Sequence, residues 1–277
     1  MRGESSQKLP VTLFESIENQ SVPDAIVWQV EDLILNGILK EGGRLPPERD
    51  MADRLRVSRP KLREALDTLR SRELLSAGPG ECTVVSRLTK HAMSPALIDL
   101  YLRHPKALDD HLEFRRVQES FAARLAAVRA TETDRQALTD IVAEMVKAHD
   151  HQDDDLETEL DLHFHAAVVD ASHNRHLIHT MASLYELNRK GLTLNRQNLI
   201  NRREVAKKLL QQHEAICAAI CAGQADEAAA AAEDHIDFVR WSIREAEENR
   251  ERRINANKRS LARQVFVPAS SKKPKLQ

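Results

Sequence analysis

LPPERDMADRLRVSRPKLREALDTLRSR, residues 45–72, decides how the whole 277-residue chain is read. Met51, Ala52 and Leu55 form the apolar edge of a short helical pattern, and Val57 plugs the turn after it. Ser58 stands where a second helix begins, and its hydroxyl can cap the unpaired N–H groups of the first turn. Leu62, Ala65, Leu66 and Leu69 then recur at three- and four-residue spacing, which predicts one buried stripe. Arg59, Lys61 and Arg63 fall off that stripe within the first two turns. Side chains there, on a helix lying in the major groove, reach base edges and phosphates. Two helices, a tight turn and a basic second N-terminus predict a helix-turn-helix.

On the N-terminal side, Ile26, Val30, Leu33, Ile34 and Ile38 mark an amphipathic support helix from Asp24, stopped by Gly42-Gly43. Residues 1–22 are polar and read as an arm. On the C-terminal side, Leu74-Leu75 and Thr83-Val84-Val85 flank Gly78-Pro79-Gly80, the pattern of a β-hairpin. The expected winged unit spans 23–88.

The runs LPPER and VSRPKLREAL resemble the winged-helix signature of GntR-type transcription regulators, in which Leu-Pro-x-Glu-Arg leads into Val-Ser-Arg and Arg-Glu-Ala-Leu. The resemblance implies DNA contacts from Arg49, Ser58, Arg59 and Arg63, with Gly80 at the tip of the wing. The chain departs from the family pattern at Glu73, where glycine is usual, and at the wing tip, where Pro79 and Glu81 stand.

Two Trp, two Tyr and six Phe in a chain rich in alanine and leucine favour packed helices over sheets. The formal net charge is −2, so a nucleic-acid role rests on local distribution, not on global charge. Cys82, Cys217 and Cys221 are too few for a disulfide framework and fit a reducing cytosol. The N-terminal residues offer no apolar signal region and no apolar run approaches a membrane span, so a cytoplasmic protein without membrane partners is expected.

Beyond the winged unit, residues 89–106 read as a linker holding one short helix, Ala96 to Leu102. Residues 107–250 read as an all-α bundle, with helices near 107–129, 133–150, 154–172, 174–196, 203–222 and 226–249. That makes six helices, or seven with the linker helix. Residues 251–277 carry eight Lys or Arg against one Glu and read as a solvated basic tail. The expected fold is mostly α, a winged helix-turn-helix followed by this bundle.

Four polar residues fall on inward faces of the bundle. Asp161 and His165 are four apart and share a helix face with Phe164 and Val168. His213 lies in the stripe of Leu209, Ile216, Cys217 and Ile220, and His235 aligns with Ala231, Ala232, Phe238 and Val239. Gly223-Gln224-Ala225 breaks the helix midway between His213 and His235, so an antiparallel hairpin sets both at one level. Asp161 and His165 can complete a set suited to zinc, nickel or manganese rather than to calcium or magnesium. His163 points elsewhere, and Cys217 with Cys221 read as small core residues.

The segment from about 107 to 245 resembles the effector domain, called FCD, of the FadR-type branch of GntR regulators. Its metal-binding members carry Asp-x₃-His and two further histidines, and all four positions match. The resemblance implies a metal with an open position that holds an organic acid, and an arginine, here Arg115 in LEFRRVQES, that binds the acid's carboxylate with its planar fork. It also implies a homodimer reading an inverted-repeat operator in double-stranded DNA, acting as a repressor. The expected function is a ligand-responsive regulator and not an enzyme. The alternative is a metal-dependent enzyme acting on a small carboxylate.

Overall fold

The computed structural model describes residues 21–79, 82–88, 93–198 and 202–265. Contacts divide the chain into two compact units, Met1–Leu88 and Thr89–Gln277.

In the first unit, α1 (Val22–Leu35) starts at Ser21, whose side chain accepts from the Asp24 amide, with Pro23 in the first turn. Ile26, Val27, Val30 and Ile34 are buried along one face. The helix ends earlier than the apolar pattern suggests. Gly37, at φ +68°, reverses the chain after Asn36, and Ile38 is left largely exposed. The Gly42-Gly43 pair serves a different purpose. The Gly42 amide donates to Val85 O and Gly43 O accepts from Val85 N, so this segment lines the edge of the wing. A Cβ on Gly43 would stand 2.7 Å from Lys40 O, so the turn needs glycine there.

Helices α2 (Glu48–Leu55) and α3 (Arg59–Ser71) are joined by a turn in which Arg56 takes a left-handed φ of 54°. Leu62, Ala65, Leu66 and Leu69 are almost fully buried against α1, Leu45 and Ala52. Strands β1 (Leu75–Ala77) and β2 (Thr83–Val85) pair antiparallel with Leu75 opposite Val85. Gly80 lies outside the described residues.

Between α3 and β1, Leu74 N donates to Leu69 O and Glu73 N to Arg70 O, the paired bonds that close a helix through a left-handed residue. That residue is Glu73, at φ +60°. The position where glycine was expected is therefore a backbone site built for glycine. Glu73→Gly is expected to stabilise this unit by about 0.5–1 kcal/mol, relief of the left-handed strain minus the entropy glycine brings to the unfolded chain. Thermal denaturation of the two proteins, with a rise or a fall in Tm, checks it.

The second unit is all helical: α4 (Pro95–Arg103), α5 (Pro105–Arg129), α6 (Glu132–His151), α7 (Asp154–Ala171), α8 (Arg175–Ser183), α9 (Tyr185–Asn198), α10 (Arg202–Cys221) and α11 (Ala225–Val265). Its core is seamed with alanine. Ala122, Ala123, Ala126 and Ala127 of α5 meet Ala228 and Ala232 of α11, while Phe164, Ile216 and Ile220 fill the centre. Small side chains let α5 and α11 lie close and antiparallel. Arg116 pairs with Glu233 and Asp237, and Asp109 with Arg240 and Arg244, along their shared edge. These pairs are half-buried to exposed, and such ion pairs near solvent contribute modestly individually.

Three sequence expectations change here. The pattern read as one helix over 174–196 is two, broken at Leu184 after Ser183 turns its hydroxyl back to Thr180 O. Among the described residues, eight helices therefore follow the wing, counting α4, which packs on α5 and α9, where six or seven were expected. The basic tail expected from residue 251 continues α11 as helix to Val265. Residues 250–262 are exposed, so helix-forming residues and pairs such as Arg252 with Glu248 maintain that helix, with no core beneath them. Among the described residues, no helix is long and apolar enough to cross a membrane.

Candidate functional site

The first candidate surface is α3 and the turn before it. Ser58 occupies the N-cap with extended backbone, φ −72° and ψ 144°, and Pro60 presets the first turn. The Ser58 hydroxyl makes no capping bond, contrary to the sequence reading. The proline already fixes the helical start and removes one of the N–H groups a cap would satisfy. Arg49, Ser58, Arg59 and Arg63 are all exposed, on α2 and the N-terminal half of α3. Arg63 Nε donates to Glu48 Oε2 at 2.8 Å, a bond that raises its pKa further. Lys61 is paired with Glu64 at 2.9 Å. Arg70 ties the helix to the wing through Thr83 Oγ1, 3.0 Å away. The result is a rigid helix end with a polar, cationic outer face.

The second candidate lies inside the helical unit. Helices α10 and α11 run antiparallel about Gly223-Gln224, which brings the His213 and His235 rings to 4.4 Å between centroids. From α7, His165 Nε2 approaches His213 Nε2 to 3.3 Å. Asp161, one turn earlier, places Oδ1 3.5 Å from His213 Nε2 and Oδ2 3.8 Å from His165 Nε2. One ligand atom from each of the three histidines falls within 4.8 Å of the other two. The structure thus brings together all four residues singled out in the sequence, and all four are buried.

Burial dictates their charge. Desolvation lowers the His213 pKa to about 3 despite the neighbouring Asp161 carboxylate, and holds His235 well below the usual imidazole range. Both rings are therefore neutral at physiological pH, the form in which imidazole ligates a metal. Nδ1 of His213 and Nδ1 of His235 have no hydrogen-bond partner. Two neutral imidazoles in Nε2-to-Nε2 contact can share at most one proton between them. A cation at their focus would satisfy several lone pairs at once, so the donor set fits a divalent metal of the zinc, nickel or manganese type.

Helix α5 closes one side with Arg115, which is buried and donates through Nε to Glu119 Oε1. Arg116, next to it, pairs instead with Glu233 and Asp237 of α11. Glu119 was not singled out in the sequence, although its i, i+4 relation to Arg115 on an apolar face was a usable signal. Its other oxygen lies 2.6 Å from His165 Nδ1. Burial alone would raise the pKa of this carboxyl, but Arg115 and His165 outweigh it and lower the value to about 2. Elsewhere, His163 is exposed, and His173 pairs with Asp134 at 2.9 Å. Cys217 and Cys221, 4.0 Å apart, are thiols, with burial raising the Cys217 pKa to about 12.

Comparison with known proteins gives two family matches: "Bacterial regulatory proteins, gntR family" over residues 24–85 and "FCD domain" over residues 110–238. The Glc operon transcriptional activator of Escherichia coli (strain K12) is 32% identical over 233 residues, covering 83% of this chain and 92% of its own length. A regulator provisionally assigned to the L-lactate dehydrogenase operon of the same organism is also 32% identical over 233 residues, covering 89% of its length. Among solved structures, Streptococcus agalactiae GntR is 27% identical, covers 79% of this chain and 99% of its own, and gives a TM-score of 0.48. On the sequence matches, this chain belongs to the gntR family of bacterial regulatory proteins, in its FCD-bearing branch, and is a transcription regulator.

Proposed function

We propose that this regulator binds an inverted-repeat operator as a homodimer and senses a small hydroxy- or keto-carboxylic acid through a divalent metal in its helical unit. The observation that carries the reading is the convergence of Asp161, His165, His213 and His235 in one buried cluster, with the fixed guanidinium of Arg115 on the same side of the bundle. A metal held there supplies a Lewis acid with open positions for the acid's carboxylate and adjacent oxygen. Arg115 is the cation that receives the carboxylate. Zinc is the first choice, with nickel and manganese compatible with the same ligands. The relative assigned to an L-lactate dehydrogenase operon supports an acid of this class.

DNA recognition is assigned to Arg49, Ser58, Arg59 and Arg63, with Gly80 at the wing. The reading is tested by measuring operator binding by fluorescence anisotropy while L-lactate and other small 2-hydroxy and 2-keto acids are titrated, with and without chelator. An acid-dependent change in affinity that chelator abolishes is expected, and repression predicts that the acid weakens binding. No response to any such acid would count against the reading.

Dimerisation is supported by an unpartnered stripe on α5. Phe114, Val117, Phe121 and Val128 recur at helical spacing and are 47–69% exposed, an unusual concentration of large apolar side chains on a surface. Spacings of three, four and seven residues suit a second helix packed along the stripe, and a twofold contact needs only one such patch per subunit. Phe121→Asp is expected to shift the protein to monomer in sedimentation velocity without loss of helix content. A dimer of unchanged strength would exclude this face.

A further inference from the structure

Among the three clustered histidines, His165 is distinguished by what holds its far nitrogen. Its Nδ1 lies 2.6 Å from Glu119 Oε2, while Nδ1 of His213 and Nδ1 of His235 have no partner. Its Nε2 faces His213 Nε2 at 3.3 Å. An ionised carboxylate at Nδ1 keeps the proton there, so the lone pair at Nε2 points into the cluster and the ring cannot turn. The same contact makes the imidazole a stronger donor to a cation.

Glu119 has a second task. Its Oε1 accepts from Arg115 Nε, one turn earlier on α5, with both side chains buried. Of the two ways a guanidinium grips a carboxylate with paired N–H bonds, the one that uses Nε is therefore taken. The end-on pair of Nη nitrogens remains for a ligand. One buried carboxylate thus sits between the residue that would receive the acid and a residue that would hold the metal.

We propose that Glu119 is the positioning residue of this centre, fixing His165 as an Nε2 ligand and Arg115 as an end-on carboxylate receptor at the same time. The proposal rests on the metal-centre reading of the cluster. A purely structural buried ion pair would predict lost stability when it is broken; a positioning role predicts a selective loss at the metal. Glu119→Gln separates the two. His165 Nδ1 and Arg115 Nε address different oxygens of Glu119, and the amide turns one of these into an NH₂ donor facing a donor, yet it keeps the shape of the side chain.

The test uses metal-stripped full-length protein titrated with Zn²⁺ against a competing chelator, with wild type, His213→Ala and Glu119→Gln side by side. Co²⁺-loaded samples give visible absorption bands that report ligand geometry. Glu119→Gln is expected to bind Zn²⁺ about 10–100-fold more weakly and to shift the Co²⁺ bands, with the metal-free melting temperature within a few degrees of wild type. If the variant does not fold, nitrogen NMR of the imidazoles in zinc-loaded wild type decides: His165 should carry its proton on Nδ1 and the metal on Nε2. Wild-type Zn²⁺ affinity with unchanged Co²⁺ bands in Glu119→Gln, or a His165 ligated through Nδ1, overturns the proposal. If wild type binds Zn²⁺ and His213→Ala does not, that failure belongs to the Glu119 proposal alone. A wild type that binds no metal overturns the metal-centre reading and the proposal with it.

Discussion

His213→Ala is expected to empty the metal site and silence the response to acid while leaving operator binding intact. His213 stands at the centre of the cluster, 3.3 Å from His165 Nε2 and 3.5 Å from Asp161 Oδ1, and is almost completely buried. Sharing the binding energy of a four-ligand site evenly among its ligands, loss of one weakens the metal on the order of a hundred- to a thousandfold. The unit should still fold, because Phe164, Ile216 and Ile220 fill the core beside it and the lost ring is polar. Arg115→Ala should differ: metal is retained and the acid binds weakly. Thermal shift with L-lactate, set beside metal content, distinguishes the two variants. An undiminished acid response in His213→Ala would reduce the cluster to a polar core.

The second large effect belongs to the DNA-reading helix. Arg59→Ala should weaken operator binding by about tenfold to a hundredfold, the range for one side chain gripping a base edge. The fold should not change, since Arg59 lies off the buried stripe of Leu62, Ala65, Leu66 and Leu69. Arg63→Ala carries an added consequence. Its Nε is bound to Glu48, so removing it leaves a carboxylate facing the phosphates without a counter-charge. Arg63→Ala should therefore weaken binding to unrelated DNA as well as to the operator. Anisotropy at fixed salt on operator and scrambled duplexes checks both, and wild-type affinity in either variant would contradict the docking of α3 in the major groove.

Much of this was legible because it depends on spacing. The stripe on α3 and the Asp161–His165 pair follow from helical periodicity. The meeting of His213 and His235 follows from their equal distance to the Gly223-Gln224 turn, where Gln224 N bonds to Ala219 O. What escaped depends on tertiary partners or on weak local signals. Nothing in SLYEL marks a helix break, since Leu184 is neither glycine nor proline, yet its amide bonds three residues back to Met181 O where α8 ends. Ile38 looked like a helix face residue, but Gly37 had already reversed the chain. The basic run after Arg250 was read from charge alone, although it lacks proline and glycine until Pro268 and so favours helix. Glu119 carries only a weak local signal, four residues after Arg115 on the apolar face of α5, and its contact with His165 is a tertiary one.

The central claim is that Asp161, His165, His213 and His235 hold one divalent ion in each chain. Native mass spectrometry of protein purified without chelator, then stripped and incubated with Zn²⁺, measures this directly. A mass increment of one divalent ion per chain, absent from His213→Ala, is the expected result. The mass of the bare polypeptide before and after Zn²⁺ would contradict it.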